Sequence, residues 1–216
     1  MKILNPEVER HLRAGHGLRL NLGSGERRLP GFLNVDCVEV TRPDILADLN
    51  EPLSALPDNS VDEIYARHTL EHVSNFLGLL TELHRVVRPG GRMDIIVPHF
   101  SNPYGYSDPT HVRFFGLYSF YYFSEAEDQP RRKVPNFYSA IRFRVDSVRV
   151  NLLRQSLPEK ISAALLQPLL RRGVGWIDWY ERRMCRLLPI SDIRYLMTPI
   201  KSGVSGRSGE RTSKAA

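Results

Sequence analysis

Residues 19–36, RLNLGSGERRLPGFLNVD, comprise an apolar strand, a glycine turn and a second short strand that ends on an acid. Gly23 and Gly25 permit a tight turn and let a ligand approach the backbone closely. Asp36 lies where a carboxylate can accept hydrogen bonds from both hydroxyls of a ribose. This order of elements predicts a cradle for a cofactor that carries a nucleoside.

A nicotinamide dinucleotide fits this turn poorly. Such a cofactor normally places its pyrophosphate against a third glycine, whereas this chain continues with Glu26, Arg27 and Arg28. A carboxylate beside a phosphate is unfavourable because the two charges repel. The spacing from Gly25 to Asp36 is also shorter than in the typical dinucleotide pattern.

The length of 216 residues and the hydrophobic content of 42% indicate one domain of ordinary size. We expect this domain to span residues 1–200 and the polar segment 201–216 to be a disordered tail. The first fifteen residues lack the apolar core of a signal peptide, and no window reaches membrane-span length, so we expect a cytoplasmic protein. Cys37 and Cys185 are far apart and are expected to be reduced packing residues.

Apolar runs bounded by turn residues alternate with helical patterns along the chain. This alternation predicts an α/β fold with a mostly parallel sheet covered on both faces. An amphipathic helix is predicted between Leu70 and Val87, where apolar residues recur at three- and four-residue steps. The predicted strands are residues 19–22, 32–35, 61–66, 92–97, 141–153 and 190–200.

Five segments in a fixed order carry a family resemblance. They are LNLGSG at 20–25, NVD at 34–36, DILADLNEPL at 44–53, DNSVDEIYARHTLEHV at 58–73 and ELHRVVRPGGRMDIIVP at 82–98. In these segments the chain resembles the class I S-adenosylmethionine-dependent methyltransferases of the small-molecule type. The resemblance implies a Rossmann-like, doubly wound sheet of seven strands, with a basic helical insert between the last two, and S-adenosylmethionine as cofactor.

The resemblance also implies a role for each cofactor-binding position. The glycine turn would face the methionine part, Asp36 would hold the ribose, and His68 would lie beside the sulfonium. Asn21 occupies a position where the family usually has an acid, and its amide carries no charge. The full set of implied cofactor-binding residues is Asn21, Gly23, Ser24, Gly25, Asp36, Asp48, Leu49 and His68.

Residues 68–72, HTLEH, also match the H-x-x-E-H pattern, which on a helix binds zinc beside a glutamate base. We favour another interpretation, because the pattern begins at a strand end and LEH is usual at this place in the methyltransferases. His72 is then expected to be a capping or packing histidine near the pocket. No metal ligand is assigned.

The segment 99–115, HFSNPYGYSDPTHVRFF, is predicted to be the acceptor-binding loop. Asp108 and His111 are three residues apart, so the carboxylate is able to orient the imidazole as a base. The alternative for Asp108 is that it caps a helix beginning at Pro109. The candidate bases are His111, then His72 and His99, and the candidate substrate-binding residues are Tyr104, Asp108 and Arg113.

The same segment resembles a subset of the family that is associated with polysaccharide and glycan biosynthesis. That resemblance implies a sugar, a glycolipid or another small molecule as acceptor. A hydroxyl is a poor nucleophile while protonated, so its methylation calls for a base and for alignment of oxygen, methyl and sulfur.

The net charge of +6 is concentrated in two segments. Residues 154–188 carry +4 and residues 201–216 carry +3, which leaves −1 for the rest of the chain. Basic groups are thus not spread around the predicted site, and this argues against a nucleic-acid substrate. Tryptophans and arginines at helical spacing in 154–188 suggest three destinations for this insert: an anionic membrane surface, its own domain, or a second copy of the chain in a homodimer.

Three functions other than O-methylation are compatible with parts of the sequence. A cofactor-binding protein without catalysis is suggested only by Asn21. An RNA methyltransferase is disfavoured by the near-neutral core and by the lack of an N-P-P-Y-like motif. A zinc peptidase would require stoichiometric metal.

Overall fold

In a computed structural model, which describes residues 1–201, the chain forms one mixed sheet of eight strands. The order across the sheet is β1-β4-β3-β2-β5-β6-β8-β7. The predicted tail therefore lies almost wholly outside the described residues. The strands are β1 Lys2–Ile3, β2 Leu18–Leu22, β3 Leu33–Asp36, β4 Ile45–Leu46, β5 Val61–Arg67, β6 Val87–Pro98, β7 Arg142–Leu152 and β8 Ile190–Ile200.

The five central strands run parallel to one another: β4, β3, β2, β5 and β6. On one side of them, β8 pairs antiparallel with β6, and β7 pairs antiparallel with β8. The predicted number of seven strands is wrong by one. Lys2 and Ile3 pair antiparallel with Leu46 and Ile45 and add an eighth strand at the edge. Two residues are too few to show the period-two alternation by which a strand is recognised in a sequence.

Four α-helices accompany the sheet: α1 Pro6–Arg13, α2 Phe76–Val86, α3 Leu157–Leu170 and α4 Val174–Arg183. The predicted helix of the 70–87 segment begins only at Phe76, where the Asn75 side chain accepts a hydrogen bond from the Gly78 N–H. Leu70–His72 is instead a single turn of 3₁₀ helix. The H-x-x-E-H segment is thus not part of a long helix.

Helices α3 and α4 both lie between the antiparallel strands β7 and β8. Helix α3 begins with a capping box of Ser156 and Glu159. Its buried Gln167 accepts a hydrogen bond from the Leu152 N–H at 3.1 Å and donates to the Val150 carbonyl at 2.6 Å. These two bonds attach the helix to β7.

The register of the parallel strands brings their carboxyl ends to one edge of the sheet. Leu22 pairs with Val35 on one side and with Ala66 on the other, so the residues that follow β2, β3 and β5 are neighbours. Leu20, Leu22 and Ile64 are fully buried and anchor these strands in the core. Ligands of open α/β sheets bind at this edge.

Candidate active site

A cleft of about 290 Å³ opens at the carboxyl edge of the parallel strands. The loops after β2, β3, β4 and β5 form its wall, as the strand register requires. Its lining residues are Gly23, Gly25, Asp36, Cys37, Ala47, Asp48, Leu49, Asn50, His68, Thr69, His72 and Val73. Six of the eight residues predicted to bind the cofactor are among them.

Gly23 allows the turn after β2 to pass close to Thr69, at the start of the loop after β5. Its φ angle is +58°, a conformation that favours glycine, and a Cβ there would lie 2.3 Å from Cγ2 of Thr69. Thr69 is held in place because its hydroxyl lies 3.1 Å from the Leu22 carbonyl oxygen. The glycine turn and the loop after β5 therefore form one packed unit.

Asp36 connects the glycine turn to the end of β3. Its Oδ2 accepts a hydrogen bond from the Gly25 N–H at 2.7 Å, and its Oδ1 accepts one from the Val38 N–H at 3.0 Å. A carboxylate has about four acceptor positions, so each oxygen keeps a lone pair for another donor. Gly25 has φ +50°, and no described atom lies within 4 Å of where its Cβ would be.

Asn21 and Ser24 do not line the cleft. The Asn21 side chain is buried and donates hydrogen bonds to the Arg27 carbonyl at 2.8 Å and to Oδ1 of Asn34 at 3.0 Å. Its amide thus ties the end of the glycine loop to β3. Ser24 is buried too, and its backbone N–H donates to the Val35 carbonyl.

The loop after β4 closes the other end of the cleft. Oδ1 of Asp48 accepts hydrogen bonds from both the backbone and the side-chain nitrogen of Asn50. Asn50 in turn bonds to Asn75, the residue that caps α2. Leu49 is buried beside them, which gives this end of the cleft an apolar face between polar groups.

Several lining residues were not predicted from the sequence: Cys37, Ala47, Asn50, Thr69 and Val73. Each of them is directly next in sequence to a predicted site residue. Extending each predicted position by one residue in both directions would have found them. Partial burial and the neighbouring Asp36 carboxylate raise the pKa of the Cys37 thiol.

His68 adopts a left-handed backbone with φ +52°. Such a conformation in a residue other than glycine costs on the order of 1 kcal/mol and is concentrated at functional sites. The His68 N–H donates to the Ile96 carbonyl at 2.9 Å, which continues the pairing of β5 with β6 past the strand end. The side chain is 41% exposed, and its Nδ1 lies 3.5 Å from Oε1 of Glu71.

His72 is joined to residues 99–115, the predicted acceptor loop, by a chain of hydrogen bonds. The Thr110 hydroxyl donates to Oδ1 of Asp108 at 2.6 Å, and His72 Nδ1 lies 2.9 Å from the same hydroxyl oxygen. Since the Thr110 proton is used by the carboxylate, His72 Nδ1 must donate. The neutral His72 ring then carries its lone pair on Nε2.

His111 stands edge-on to His72, with the ring centroids 4.8 Å apart. Its Nδ1 lies 2.8 Å from the Gly105 carbonyl oxygen, which only accepts, so Nδ1 carries the proton. Its Nε2 lies 3.7 Å from Oδ2 of Asp108, too far for a hydrogen bond. His111 and Asp108, predicted to act together, are thus close but linked through Thr110 and His72.

The predicted helix cap at Asp108 does not form, because no helix begins at Pro109. Asp108 accepts instead from both the N–H and the hydroxyl of Thr110, in an Asx turn. These two bonds lower the pKa of the Asp108 carboxyl. The carboxylate therefore stays ionised next to the two imidazoles.

His99, the third candidate base, lies away from the cleft. It is buried, with Nδ1 2.8 Å from the Ser101 hydroxyl and Nε2 2.9 Å from Oε1 of Glu181 on α4. Both ring nitrogens are therefore occupied by protein groups. His99 connects the end of β6 to α4.

The candidate substrate-binding residues occupy different settings. Tyr104 is 56% exposed on the acceptor loop. Arg113 lies over the Phe76 ring at 4.6 Å, and its buried Nε has no hydrogen-bond partner among residues 1–201. Arg113 is therefore packed rather than extended into solvent, and Tyr104 and Asp108 are the more accessible of the three.

The polar and apolar groups that line the cleft match the chemical groups of S-adenosylmethionine. Asp36 has carboxylate lone pairs left for ribose hydroxyls, Gly25 leaves space where a side chain would intrude, and Leu49 offers an apolar surface to a base. Gly23, Gly25, Asp36, Asp48, Leu49 and His68 would hold the cofactor. When bound, it supplies an electrophilic methyl group on a sulfonium.

Comparisons with known proteins find one matching domain model and similar folds. Residues 29–95, less than half of the chain, match the family model described as methyltransferase domain. The YcgJ protein from Bacillus subtilis shares the fold, with 14% identity, a TM-score of 0.51, and coverage of 92% of this chain and 99% of that one. An S-adenosylmethionine-dependent methyltransferase from Archaeoglobus fulgidus is 15% identical, with a TM-score of 0.47 over 89% of this chain and 91% of that one. A search of curated proteins found no match.

The matched region contains Asp36, Asp48 and His68, so it covers much of the cleft. The prediction of a Rossmann-like α/β fold is confirmed. Residues 29–95 carry the methyltransferase domain match, and this supports a methyltransferase enzyme with S-adenosylmethionine as cofactor.

Proposed function

We propose that this methyltransferase transfers the methyl group to a hydroxyl oxygen of a sugar, a glycolipid or another small molecule. The observation that carries the proposal is the pair of imidazoles at the mouth of the cofactor cleft. His72 lines the cleft and His111 stands beside it. In each ring Nδ1 is held by a protein acceptor, so Nε2 is the nitrogen that is free to take a proton.

An acceptor hydroxyl requires such a group, because it must lose its proton as the new carbon–oxygen bond forms. The proton moves to Nε2 of His111, which is the predicted base, and the Asp108 carboxylate nearby stabilises the resulting imidazolium. The exposed Tyr104 and Tyr106 on the same loop offer aromatic surfaces of the kind that pack against sugar rings. Rate enhancement then depends mainly on alignment of the acceptor oxygen with the methyl group.

The test combines cofactor binding with an acceptor screen. We expect S-adenosylhomocysteine to bind the purified protein in calorimetry, and hydroxyl-bearing glycans and glycolipids to accept methyl from labelled cofactor. His111→Ala should lower kcat by about 100-fold or more while leaving S-adenosylhomocysteine affinity within about threefold. The control is His16→Ala, since His16 is exposed and lies outside the cleft. Unchanged kcat in His111→Ala would remove His111 as the base.

We further propose that helices α3 and α4 contact an anionic membrane surface, where a glycolipid acceptor would reside. Leu157, Ile161 and Leu165 follow each other at four-residue steps on α3 and are 71%, 55% and 72% exposed. This ridge of apolar side chains faces outward, while the polar Gln167 is buried. Ala163 and Leu170 are buried on the other face, so α3 carries apolar residues on both faces, and its outward ridge is suited to lie in the headgroup region of a bilayer.

The charges around this ridge favour a negatively charged lipid over an uncharged partner. Lys160, Arg171 and Arg172 are exposed on or next to α3. Trp176 and Trp179 of α4 are 40% and 41% exposed, and tryptophan is enriched where apolar tails meet headgroups. No helix among residues 1–201 is both long and apolar enough to cross a bilayer, so such contact would be peripheral.

Vesicle sedimentation tests this contact. The protein should bind vesicles that contain phosphatidylglycerol and should bind pure phosphatidylcholine vesicles much more weakly. The double variant Ile161→Ser, Leu165→Ser should bind the anionic vesicles at least tenfold less well. Val40→Ser is the matched control, because Val40 is an apolar residue 84% exposed elsewhere. A stable dimer in sedimentation velocity that the double variant abolishes, without vesicle binding, would replace the membrane with a second copy.

A further inference from the structure

The structure assigns a second binding capacity to the cleft mouth: we infer that Glu71, His72 and His111 form a site for one divalent transition-metal ion. A carboxylate oxygen of Glu71 and one nitrogen from each histidine lie within 4.8 Å of one another. Among residues 1–201 this is the one group of three or more acidic, histidine or cysteine side chains that meets this spacing. The inference rests on the proposed function for its catalytic meaning, although not for metal binding itself.

The burial of Glu71 is the independent observation that points to a cation. Its side chain is 1% exposed, and both carboxylate oxygens have no hydrogen-bond partner among residues 1–201. A buried carboxylate without donors is costly, and such groups are usually paired with a cation or coordinate a metal. The one ion-pair contact of Glu71 among residues 1–201 is with His68, whose Nδ1 lies 3.5 Å from Oε1, beyond hydrogen-bond range, and whose side chain is 41% exposed.

The hydrogen bonds of the two histidines leave Nε2 of each ring as the nitrogen able to bind a metal. Nδ1 of His72 donates to Thr110 and Nδ1 of His111 donates to the Gly105 carbonyl. A hydrogen bond from the second ring nitrogen to a protein acceptor is the usual arrangement around a metal-binding histidine. Each Nε2 therefore offers a lone pair without prior loss of a proton.

The ligand atoms of Glu71, His72 and His111 must move closer together when an ion binds. Zinc ligands at about 2.1 Å in tetrahedral geometry lie roughly 3.3 Å apart, so the longest separation would close by about 1.5 Å. His72 is exposed and can take up most of this movement, whereas the His111 side chain is only 10% exposed. Glu71 is fixed by its burial and by its backbone carbonyl, which accepts from the Val112 N–H at 2.9 Å.

Two imidazoles and one carboxylate are ligands of intermediate softness. This set suits Zn²⁺, Co²⁺, Ni²⁺ or Fe²⁺ better than Mg²⁺ or Ca²⁺, which prefer oxygen ligands. Three protein ligands leave at least one coordination position open, and His72 lines the cofactor cleft. The open position is therefore next to the place where an acceptor would bind.

Metal binding and base catalysis use the same lone pairs. While an ion occupies Nε2 of His72 and of His111, neither imidazole takes up a proton from an acceptor hydroxyl. We therefore expect one equivalent of Zn²⁺ to inhibit methyl transfer and EDTA to restore it. The metal-free and metal-bound forms are then an active and an inactive state of one site.

The test measures metal binding directly. Full-length, tag-free protein is stripped with EDTA and titrated with Zn²⁺ in a calorimeter and with Co²⁺ by visible absorption. We expect one ion per chain in both titrations and a Co²⁺ spectrum typical of four- or five-coordination. Affinity for Zn²⁺ should fall at least tenfold in His111→Ala and in Glu71→Gln, and should be unchanged in His16→Ala.

The outcomes separate this inference from the proposed function. Absence of stoichiometric binding to the wild-type protein, or equal binding by His111→Ala, would overturn the metal site. If Glu71→Gln does not fold, His72→Ala provides the second ligand variant, since His72 is exposed. Stoichiometric binding in a protein that methylates no hydroxyl acceptor would support the site and refute the proposed acceptor class. Activation by Zn²⁺ would support the site and overturn both the predicted inhibition and the role of His111 as base.

Discussion

The Gly25 N–H donates a hydrogen bond of 2.7 Å to the Asp36 carboxylate, across eleven residues of sequence. Asp36 therefore has two roles: it shapes the glycine turn, and it presents its remaining lone pairs to the cleft. A residue that was predicted only as a ribose ligand is also part of the cradle's framework. Its replacement should affect both cofactor affinity and the stability of the turn.

Replacing Asp36 tests its role in binding the cofactor. Asp36→Asn keeps the shape of the side chain and removes its charge, so S-adenosylhomocysteine affinity should fall about 10- to 100-fold. Isothermal titration calorimetry measures this change. Asp128→Asn, at an exposed turn far from the cleft residues in sequence, is the matched control and should bind normally. Equal affinities in the two variants would show that Asp36 does not bind the cofactor.

The two glycines of the turn should respond differently to alanine. In Gly23→Ala the new Cβ would lie 2.3 Å from Thr69, so we expect the free energy of unfolding to fall by about 3 kcal/mol. In Gly25→Ala there is space for the Cβ, and the cost should be about 1 kcal/mol, from the positive φ alone.

Cofactor binding should fall in Gly25→Ala beyond what its small loss of stability explains, since Gly25 lines the cleft and its added methyl group would occupy ligand space, whereas a Cβ at Gly23 would meet Thr69. Urea unfolding and S-adenosylhomocysteine titration on both variants provide the comparison. A Gly25→Ala protein that binds S-adenosylhomocysteine like the wild type would contradict the proposed position of the cofactor.

Replacing Asn21 with aspartate should lower the stability of the folded protein. The Asn21 amide donates to two oxygens, the Arg27 carbonyl and Oδ1 of Asn34. Asn21→Asp would replace the donor with a buried carboxylate facing those oxygens, and we expect a loss of roughly 3 kcal/mol in unfolding free energy. Asn21→Ala, which lacks the charge, should lose less. A thermal shift series gives the ranking, and an Asp variant more stable than the Ala variant would contradict it.

Acid should weaken the contact between α2 and the loop before β5. The Arg85 guanidinium holds the pKa of Glu82 below its usual value of 4.5, because it donates to both carboxylate oxygens. A lowered pKa in the folded state means that this contribution is complete above pH 4.5 and is lost as the pH falls through the folded value.

Glu82→Gln should therefore cost about 1–2 kcal/mol at pH 7 and should reduce the loss of stability on acidification. Urea unfolding at a series of pH values measures both effects. Glu51→Gln, at an exposed position, is the control and should follow the wild-type profile. Identical profiles for all three proteins would show that the Glu82–Arg85 pair does not contribute.

The cofactor side of the cleft could be predicted from the sequence because its residues lie in local sequence patterns. Gly23, Gly25 and Asp36 lie in one continuous stretch, and each has a residue type that its backbone position or its ligand requires. The strand order then brings that stretch beside the loop after β5. Residue type and spacing carry enough information for this part.

The predicted acceptor side of the cleft, around His72 and Asp108, could not be derived from the sequence in the same way. The contact of His72 with Thr110 joins residues 38 positions apart, and no periodic pattern links them. Asp108 was compatible with a helix cap and with an Asx turn, and only its contact with Thr110 in the folded chain decides for the turn. The direction of the Asn21 amide likewise depends on two partners in other elements.

Through the face opposite its exposed tryptophans, helix α4 contacts His99 at the start of the predicted acceptor loop and the two residues Leu117 and Tyr118 just after that loop. Oε1 of Glu181 accepts from the Leu117 N–H and lies 2.9 Å from His99, and Asp178 accepts from the Tyr118 hydroxyl. Cutting this basic segment out of the protein would therefore leave a buried imidazole and a backbone N–H without their acceptor. The segment is not a detachable anchor, and a truncated enzyme made for convenience in solution would lose the support of its own acceptor loop.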